Sequence, residues 1–177
     1  MVVANPSISN FSNAFSLLGL TPAFDVDVAA LEKAFFERSK ELHPDRFASA
    51  PAAERVVALS RSRALNDAYQ ILKKPVARAE YLLAQGGVTI GDNERLDPAA
   101  LMPILEDREL LAEAIQGKRL AEIEKMQAAM QANRARELEL VRDGFARADL
   151  AAVKRSLILV RYIERYLEAC DSALDED

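Results

Sequence analysis

The chain has one cysteine, one histidine and six glycines among its 177 residues, and these scarcities exclude several functions before any motif is read. A lone Cys170 has no internal disulfide partner and fits a reducing compartment, so a cytoplasmic location is expected. One histidine and one cysteine are too few for a tetrahedral zinc site or a cysteine-ligated cluster, so no metal and no cofactor are expected. The glycines form no phosphate-cradling loop, and there is neither a serine elbow nor a second histidine. Glu41, His43 and Asp45 make one small titratable group, but a turn at a helix end makes no pocket, so the protein is not expected to be an enzyme. No apolar run reaches the roughly 18 residues of a membrane-spanning helix. The N-terminus lacks the basic-then-apolar order of a secretory signal, and residues 1–9 are expected to be loose. Strand-like alternation of useful length is absent throughout, which makes the chain all-α.

What is present is apolar residue in quantity, half of the chain, enough for a core in one unit or two small ones. Charge is uneven. Residues 1–80 carry 10 Lys and Arg against 9 Asp and Glu, a balance of +1, whereas residues 81–177 carry 13 against 19, a balance of −6, consistent with −5 for the whole chain. An acidic second half argues against nucleic acid as a ligand.

The most informative stretch is His43-Pro44-Asp45, which holds the only histidine and sits where a helical pattern stops. Leu31, Phe35 and Leu42, with Val28, Ala34 and Arg38 between them, recur at the spacing of one helix face, so a helix is expected from about Asp27 to Leu42. Asp27 is placed to cap it, and Val26 to staple onto Leu31. Pro44 cannot donate a backbone hydrogen bond and disfavours the helical region for the residue before it, so the helix must end at or before His43. Downstream, Pro51 suits a first turn, and Val57, Arg61, Ala64, Ala68, Ile71 and Leu72 trace a second stripe ending at Lys73-Lys74-Pro75. Upstream, Phe11, Phe15, Leu17 and Leu18 make a short helix that Gly19 and Thr21-Pro22 can terminate. The residues alone leave two readings of His43: a cap at a helix C-terminus, where the helix dipole favours it, or a displayed recognition group.

Short helix, long helix, His-Pro-Asp turn, long helix resembles the J-domain over residues 11 to about 75. Asp45-Arg46-Phe47 and Leu65-Asn66-Asp67-Ala68-Tyr69-Gln70-Ile71-Leu72 are similar to the same family's loop and third helix. The resemblance implies that His43, Pro44 and Asp45 engage a DnaK-type chaperone and trigger hydrolysis of its ATP. It also implies that basic residues of the second helix meet an acidic chaperone surface, for which Arg38, Lys40 and Arg46 are the candidates, with Lys33 as an outlying fourth. Glu32, Glu37 and Glu41 are interleaved with them, so a solvated, self-paired face stands as the other reading.

Beyond Pro75 the run Arg78-Ala79-Glu80-Tyr81-Leu82-Leu83 follows with no Gly/Ser-rich spacer, and Gly86-Gly87, Gly91 and Asn93 form the one real break. From Asp97 onward three helical patterns are separated by Gly117 and by Asp143-Gly144. In the last, Leu150, Val153, Leu157, Val160, Leu167 and Leu174 form a stripe with Ile163 beside it, and Asp149 is placed to cap the start. Short connections favour antiparallel neighbours, so this part reads as a three-helix bundle. The expected division is a J-domain over 10–76, a connecting segment over 77–97 and the bundle over 98–177. Pro103 should open the first bundle helix, leaving Leu101 and Met102 on the turn before it; Asp97-Pro98 is a competing start that would kink the helix at Pro103.

The order of parts closely resembles the HscB family, J-protein co-chaperones of bacterial iron-sulfur cluster assembly. The carrying residues are the Arg78–Leu83 run and Leu101-Met102-Pro103-Ile104-Leu105-Glu106-Asp107-Arg108-Glu109. Eukaryotic relatives with a cysteine-rich zinc module differ from this chain, which favours a bacterial type. The resemblance implies that Leu101, Met102, Leu105, Glu106, Glu109 and Glu113, with Tyr162 on the last helix, bind the IscU-type scaffold protein. It further implies that the scaffold is delivered to an HscA-type chaperone; with one histidine and one cysteine the chain is expected to hold no cluster itself, and a monomer is expected. Independently of the family, positions 102, 105, 106, 109 and 113 share one helix face. The other reading makes Leu101, Met102 and Leu105 bundle core and the glutamates a solvated face. An alternative client, delivered to a general DnaK chaperone, is the competing function.

Overall fold

A computed structural model describes residues 13–91 and 94–175, apart from the side chain of Pro44. Phe11, Asn93 and the segment 1–9 lie outside the described residues. Every regular element among the described residues is helical: α1 (Ala14–Leu18), α2 (Val28–Glu41), a 3-10 turn (Pro44–Phe47), α3 (Ala52–Lys73), α4 (Pro75–Gln85), α5 (Pro98–Gln116), α6 (Leu120–Ala146) and α7 (Leu150–Asp175). The chain divides into two compact units, Met1–Leu82 and Leu83–Asp177.

In the first unit, local chemistry places each helix end. Asn13 accepts from the Phe15 N–H at 2.9 Å, and Asp27 accepts from Ala29 at 2.9 Å and Ala30 at 3.2 Å, so each satisfies N–H groups that a helix start leaves open. Gly19 ends α1 with φ +69°, and a Cβ there would stand 2.8 Å from Arg38 Nη2, so the left-handed turn and the close approach both call for glycine. Phe15, Leu18, Leu31, Leu65, Ala68 and Leu72 form the core, with Val26, Phe35, Leu42 and Tyr81 packed on it. Helices α2 and α3 run antiparallel. The Phe35 ring stacks on Tyr69 at 4.2 Å, and Lys73 Nζ reaches Glu32 at 3.2 Å and Tyr69 OH at 3.0 Å. The buried positions of α3 are Ala58, Leu65, Ala68 and Leu72, whereas Val57 and Arg61, expected in its stripe, are exposed. The reason is length: α2 stops at Glu41, so its side chains do not reach the first turns of α3, where Ala58 is buried and Val57 is not.

Lys74, just before Pro75, is extended at φ −91° and ψ 122°, which stops α3 and lets Pro75 begin α4. Arg78 of α4 is the one charged side chain buried among the described residues. Its Nε donates to Phe24 O at 2.7 Å, its Nη1 donates to Leu72 O, and the guanidinium lies 5.5 Å from the Phe24 ring centre. Burial lowers its pKa and the Asp25 carboxylate opposes that shift. One turn further on, Tyr81 OH accepts from the Ala14 N–H at 2.8 Å, at the first turn of α1.

In the second unit, connections of three residues make α5, α6 and α7 an up-down-up bundle. Leu111, Ala114, Ile123, Met130, Ile163, Tyr166 and Cys170 form one buried cluster. Tyr166, pushed up to about 12 mainly by burial, stays neutral there. Asp149 caps α7 by accepting from the Ala152 N–H at 2.9 Å. Two expectations change. Asp143-Gly144 does not separate helices: α6 runs on to Ala146, and Gly144 is buried because a Cβ there would stand 2.6 Å from Val153 Cγ2. Nor does Pro103 open α5. Asp97 caps that helix by accepting from the Ala99 N–H at 2.8 Å, Pro98 takes the first turn, and Pro103 lies inside. A proline there forgoes one backbone bond, to the carbonyl four residues back, a cost of about 3 kcal/mol that the cap at Asp97, worth about 1, offsets only in part.

Two outcomes follow in urea unfolding. Arg78→Met removes the hydrogen bonds that Arg78 donates to the Phe24 and Leu72 carbonyls and should destabilise the protein by about 2–4 kcal/mol. Gly144→Ala should destabilise it by about 1–2 kcal/mol, because overpacking against stiff Val153 costs about 1–3 kcal/mol and the helix-propensity gain is at most about 1. By contrast Ala148→Gly, at φ 54° in the same connection, should stabilise by up to about 1 kcal/mol.

Candidate partner-docking sites

The α2–α3 connection is a capped turn. Leu42 closes α2, its N–H donating to Arg38 O at 3.1 Å, and His43 turns extended at φ −59° and ψ 130°. His43 therefore does not cap the C-terminus of α2; it caps the start of the 3-10 turn, its Nδ1 accepting from the Asp45 N–H at 3.4 Å. The Asp45 carboxylate stands 3.5 Å from the same nitrogen. One nitrogen cannot accept from the amide and donate to the carboxylate at once: a neutral ring takes the amide, a protonated ring the carboxylate. In the neutral arrangement Nε2 is left as the outward donor. The two side chains are 59 % and 90 % exposed, so the turn holds an imidazole and a carboxylate side by side in solvent.

Lys33, Arg38 and Lys40 are all exposed on α2, and Arg46 on the 3-10 turn. Two of the four also make contacts within the unit. Arg38 closes over Gly19 at the end of α1, which gives it a packing role within the unit. Lys40 lies 4.2 Å from the centre of the Phe36 ring, an exposed cation–π pair one helical turn apart. Phe36 and Lys40 thus share one exposed face in the C-terminal half of α2. Nothing in the sequence singled out Phe36, because an aromatic residue at helical spacing reads as core.

On α5 the buried residues are Ile104, Leu111 and Ala114. Met102 is 55 % and Leu105 40 % exposed, with Leu101 half-buried and Glu106, Glu109 and Glu113 all exposed. Of the two readings of this face, the core reading fails for Met102 and Leu105: their methyl groups lie on solvent beside a carboxylate row. Leu110, also exposed, extends the apolar part and was not anticipated. Tyr162 is half-buried on α7, its ring 5.8 Å from the Arg165 guanidinium carbon. Its neighbour one turn on, Tyr166, senses the charge of Asp107, which sets that stretch of α7 beside the middle of α5.

The approach to α5 is held from both sides. Glu94 accepts from the Gly91 N–H at 2.9 Å and pairs with Lys154 of α7. The Lys154 hydrogen bond first, then the Gly91 amide, hold its carboxyl below the usual carboxylate range. Among the described residues no group of three or more His, Cys, Asp or Glu could hold a metal ion. No described helix is long and apolar enough to cross a membrane.

Comparison with known proteins places this geometry. Residues 13–81 match the family model of the DnaJ domain, and residues 96–171 match the model described as the HSCB C-terminal oligomerisation domain. The co-chaperone protein HscB homolog of Neisseria meningitidis (strain Z2491) is 33 % identical over 165 residues, covering 92 % of this chain and 99 % of that protein. The homolog of Vibrio vulnificus (strain YJ016) is 45 % identical over 107 residues; the match takes in 59 % of this chain and only 63 %, under two thirds, of that relative's length. Among solved structures, chaperone HscB from Vibrio cholerae superimposes with a TM-score of 0.85 at 29 % identity, covering 93 % of this chain and 99 % of that one. Human co-chaperone protein HscB gives 0.86 at 27 %, covering 96 % and 83 %.

The Glu94 anchor yields a pH test. Because folding lowers the Glu94 pKa, its contribution to stability is whole above the ordinary carboxylate range and is lost as pH falls through the folded value. Wild type should melt above Glu94→Gln at pH 7, and the gap should close toward pH 3; a gap of constant size would show that the ionised carboxylate is not responsible.

Proposed function

We propose, for a chain that belongs to the HscB family of J-domain co-chaperones, that it binds the IscU-type scaffold protein on α5 and docks by its His43-Pro44-Asp45 turn on an HscA-type chaperone, stimulating that chaperone's ATP hydrolysis during iron-sulfur cluster assembly. The observation that carries this reading is that the chain leaves both displays on solvent while building its cores from neighbouring residues. His43 and Asp45 stand outside the cluster of Phe15, Leu31 and Leu65, and Met102 and Leu105 stand outside that of Leu111 and Ala114.

The mechanism divides the work. Met102 and Leu105 supply apolar contact, with Leu101 at the edge, and Glu106, Glu109 and Glu113 choose a partner with basic groups at the rim; Tyr162 contributes from α7. In the first unit Arg38, Lys40 and Arg46, with Lys33 as an outlying fourth, steer an acidic chaperone surface, more weakly as salt rises. Pro44 fixes the turn, the outward Nε2 of His43 donates, and Asp45 accepts. The protein performs no turnover of its own. Because one chain carries both contacts, a captured scaffold is presented to the chaperone at a raised effective concentration.

The test is the steady-state ATPase rate of an HscA-type chaperone with this protein, with scaffold, and with both. Stimulation that grows synergistically with scaffold is expected. His43→Gln, whose amide oxygen can still cap the turn, should lose stimulation and retain scaffold binding; Leu105→Ala with Glu106→Ala should weaken scaffold binding by about tenfold or more and retain basal stimulation. Loss of both activities by each variant with the fold intact would sink the two-surface mechanism, and stimulation indifferent to scaffold would sink the client.

A further inference from the structure

The two outer helices of the bundle, α5 and α7, carry opposite charges in solvent at the same height. They run parallel, and two interactions fix their register: Glu94, on the approach to α5, pairs with Lys154, and Tyr166 senses the charge of Asp107. Met102 therefore stands level with Tyr162, and Glu106 with Arg165. On α5 the exposed Met102 and Leu105 are interspersed with Glu106, Glu109 and Glu113. On α7 the exposed Arg165 meets the ring of half-buried Tyr162, and Glu164 beside it is taken up by Arg134 of α6. Neither Arg165 nor any of those three α5 glutamates forms a salt bridge with another described residue. The chain thus holds an open cation and an open carboxylate row side by side and joins them to nothing of its own.

We propose that this face pairs two copies of the chain about a two-fold axis running along it, and that the scaffold protein displaces the second copy. Such an axis lays α5 of each copy over α7 of the other at the same height. Glu106 then meets the second copy's Arg165, Met102 meets its Tyr162, and each contact occurs twice. Charge complementarity chooses this occupant, because a face of one sign repels its own copy and this face carries both. Its size sets the strength. From Leu101 to Glu113 the face is about 18 Å long, and two packed helices make it about 20 Å wide, well short of the roughly 800 Å² per partner of a standard interface. The pairing is therefore weak and easily displaced, and the monomer expected from the sequence is the form at low concentration. Displacement by scaffold rests on the proposed function; the pairing itself does not.

Sedimentation velocity of the full chain at rising concentration, alone and with the IscU-type scaffold, is the experiment. Wild type should pass from monomer to dimer with a Kd of about 10–100 µM, and scaffold should convert the dimer to a complex with one copy of each protein. Arg165→Glu and Glu106→Arg change exposed residues, so circular dichroism and the melting temperature should match wild type. Each variant alone should dimerise about tenfold or more weakly, since like charges then face each other twice; the two variants mixed should associate as wild type does, since mixing restores both opposite pairs. Lost packing gives no such rescue. A wild type that stays monomeric throughout, or single variants that dimerise like wild type, overturns the pairing and leaves the proposed function standing. Dimers that keep both copies while scaffold is bound overturn the displacement. If scaffold fails to bind while the mixed variants associate, the client of the proposed function falls and displacement with it, and the pairing stands.

Discussion

One buried cation organises the first unit. Arg78 draws the Phe24 backbone, the last turn of α3 and the start of α4 onto a single guanidinium. A buried charge is tolerable only when its donors are met, and here carbonyls and an aromatic face meet them. The Leu72 carbonyl belongs to the final turn of α3, where a cation is favoured by the helix dipole. Tyr81, on the same helix as Arg78, satisfies a backbone donor at the start of α1. Helix α4 thereby ties α1 and α3 together, and the hairpin that carries the tripeptide stands on that base. The Arg78–Tyr81 stretch, read from sequence as a family signature, has a structural role.

The two candidate sites share a physical logic. Each consists of groups that a folding chain would ordinarily bury or pair, left in solvent because neighbours complete the core without them. On α5, Ile104, Leu111 and Ala114 fill the inner face, so Met102 and Leu105 are free to contact another protein. At the α2–α3 connection the backbone satisfies itself, with Arg46 N–H donating to His43 O at 3.0 Å and His43 Nδ1 accepting from Asp45. The turn therefore holds its own backbone in place and presents the imidazole and the carboxylate side by side in solvent. Such preorganisation lowers the ordering cost that a partner would otherwise meet on binding.

Much of the architecture was legible because it depends on local rules. Asp27, Asp149 and Asp97 cap the helices they precede, Pro44 and Pro75 stop the helices before them, and the α7 stripe through Val153, Leu157 and Val160 is buried as its spacing implies. The errors have one cause, competition between a local rule and a longer-range contact. Gly144 reads as a helix breaker, but its neighbour across the turn, Val153, needs the space inside a continuous helix. Pro103 reads as a helix start, but the stronger cap at Asp97 comes first. Val57 fits the apolar stripe of α3 and is exposed because α2 ends too early to cover it.

The sequence by itself determined the all-helical class, the capped starts of α2 and α7, the ends of α2 and α3 and the isolation of His43-Pro44-Asp45 on a turn, because capping, proline geometry and helical periodicity act within a few residues. Only the tertiary structure decided which face of each helix is covered. Met102 and Leu105 lie outside and Leu111 inside, Arg38 packs over α1 while Lys40 stays with Phe36 in solvent, and Val56 and Leu59 stand uncovered on the projecting end of α3. Periodicity states that a helix has an apolar face. Where along its length that face meets a neighbour depends on how long the neighbouring helices are and where they cross, which no local pattern contains.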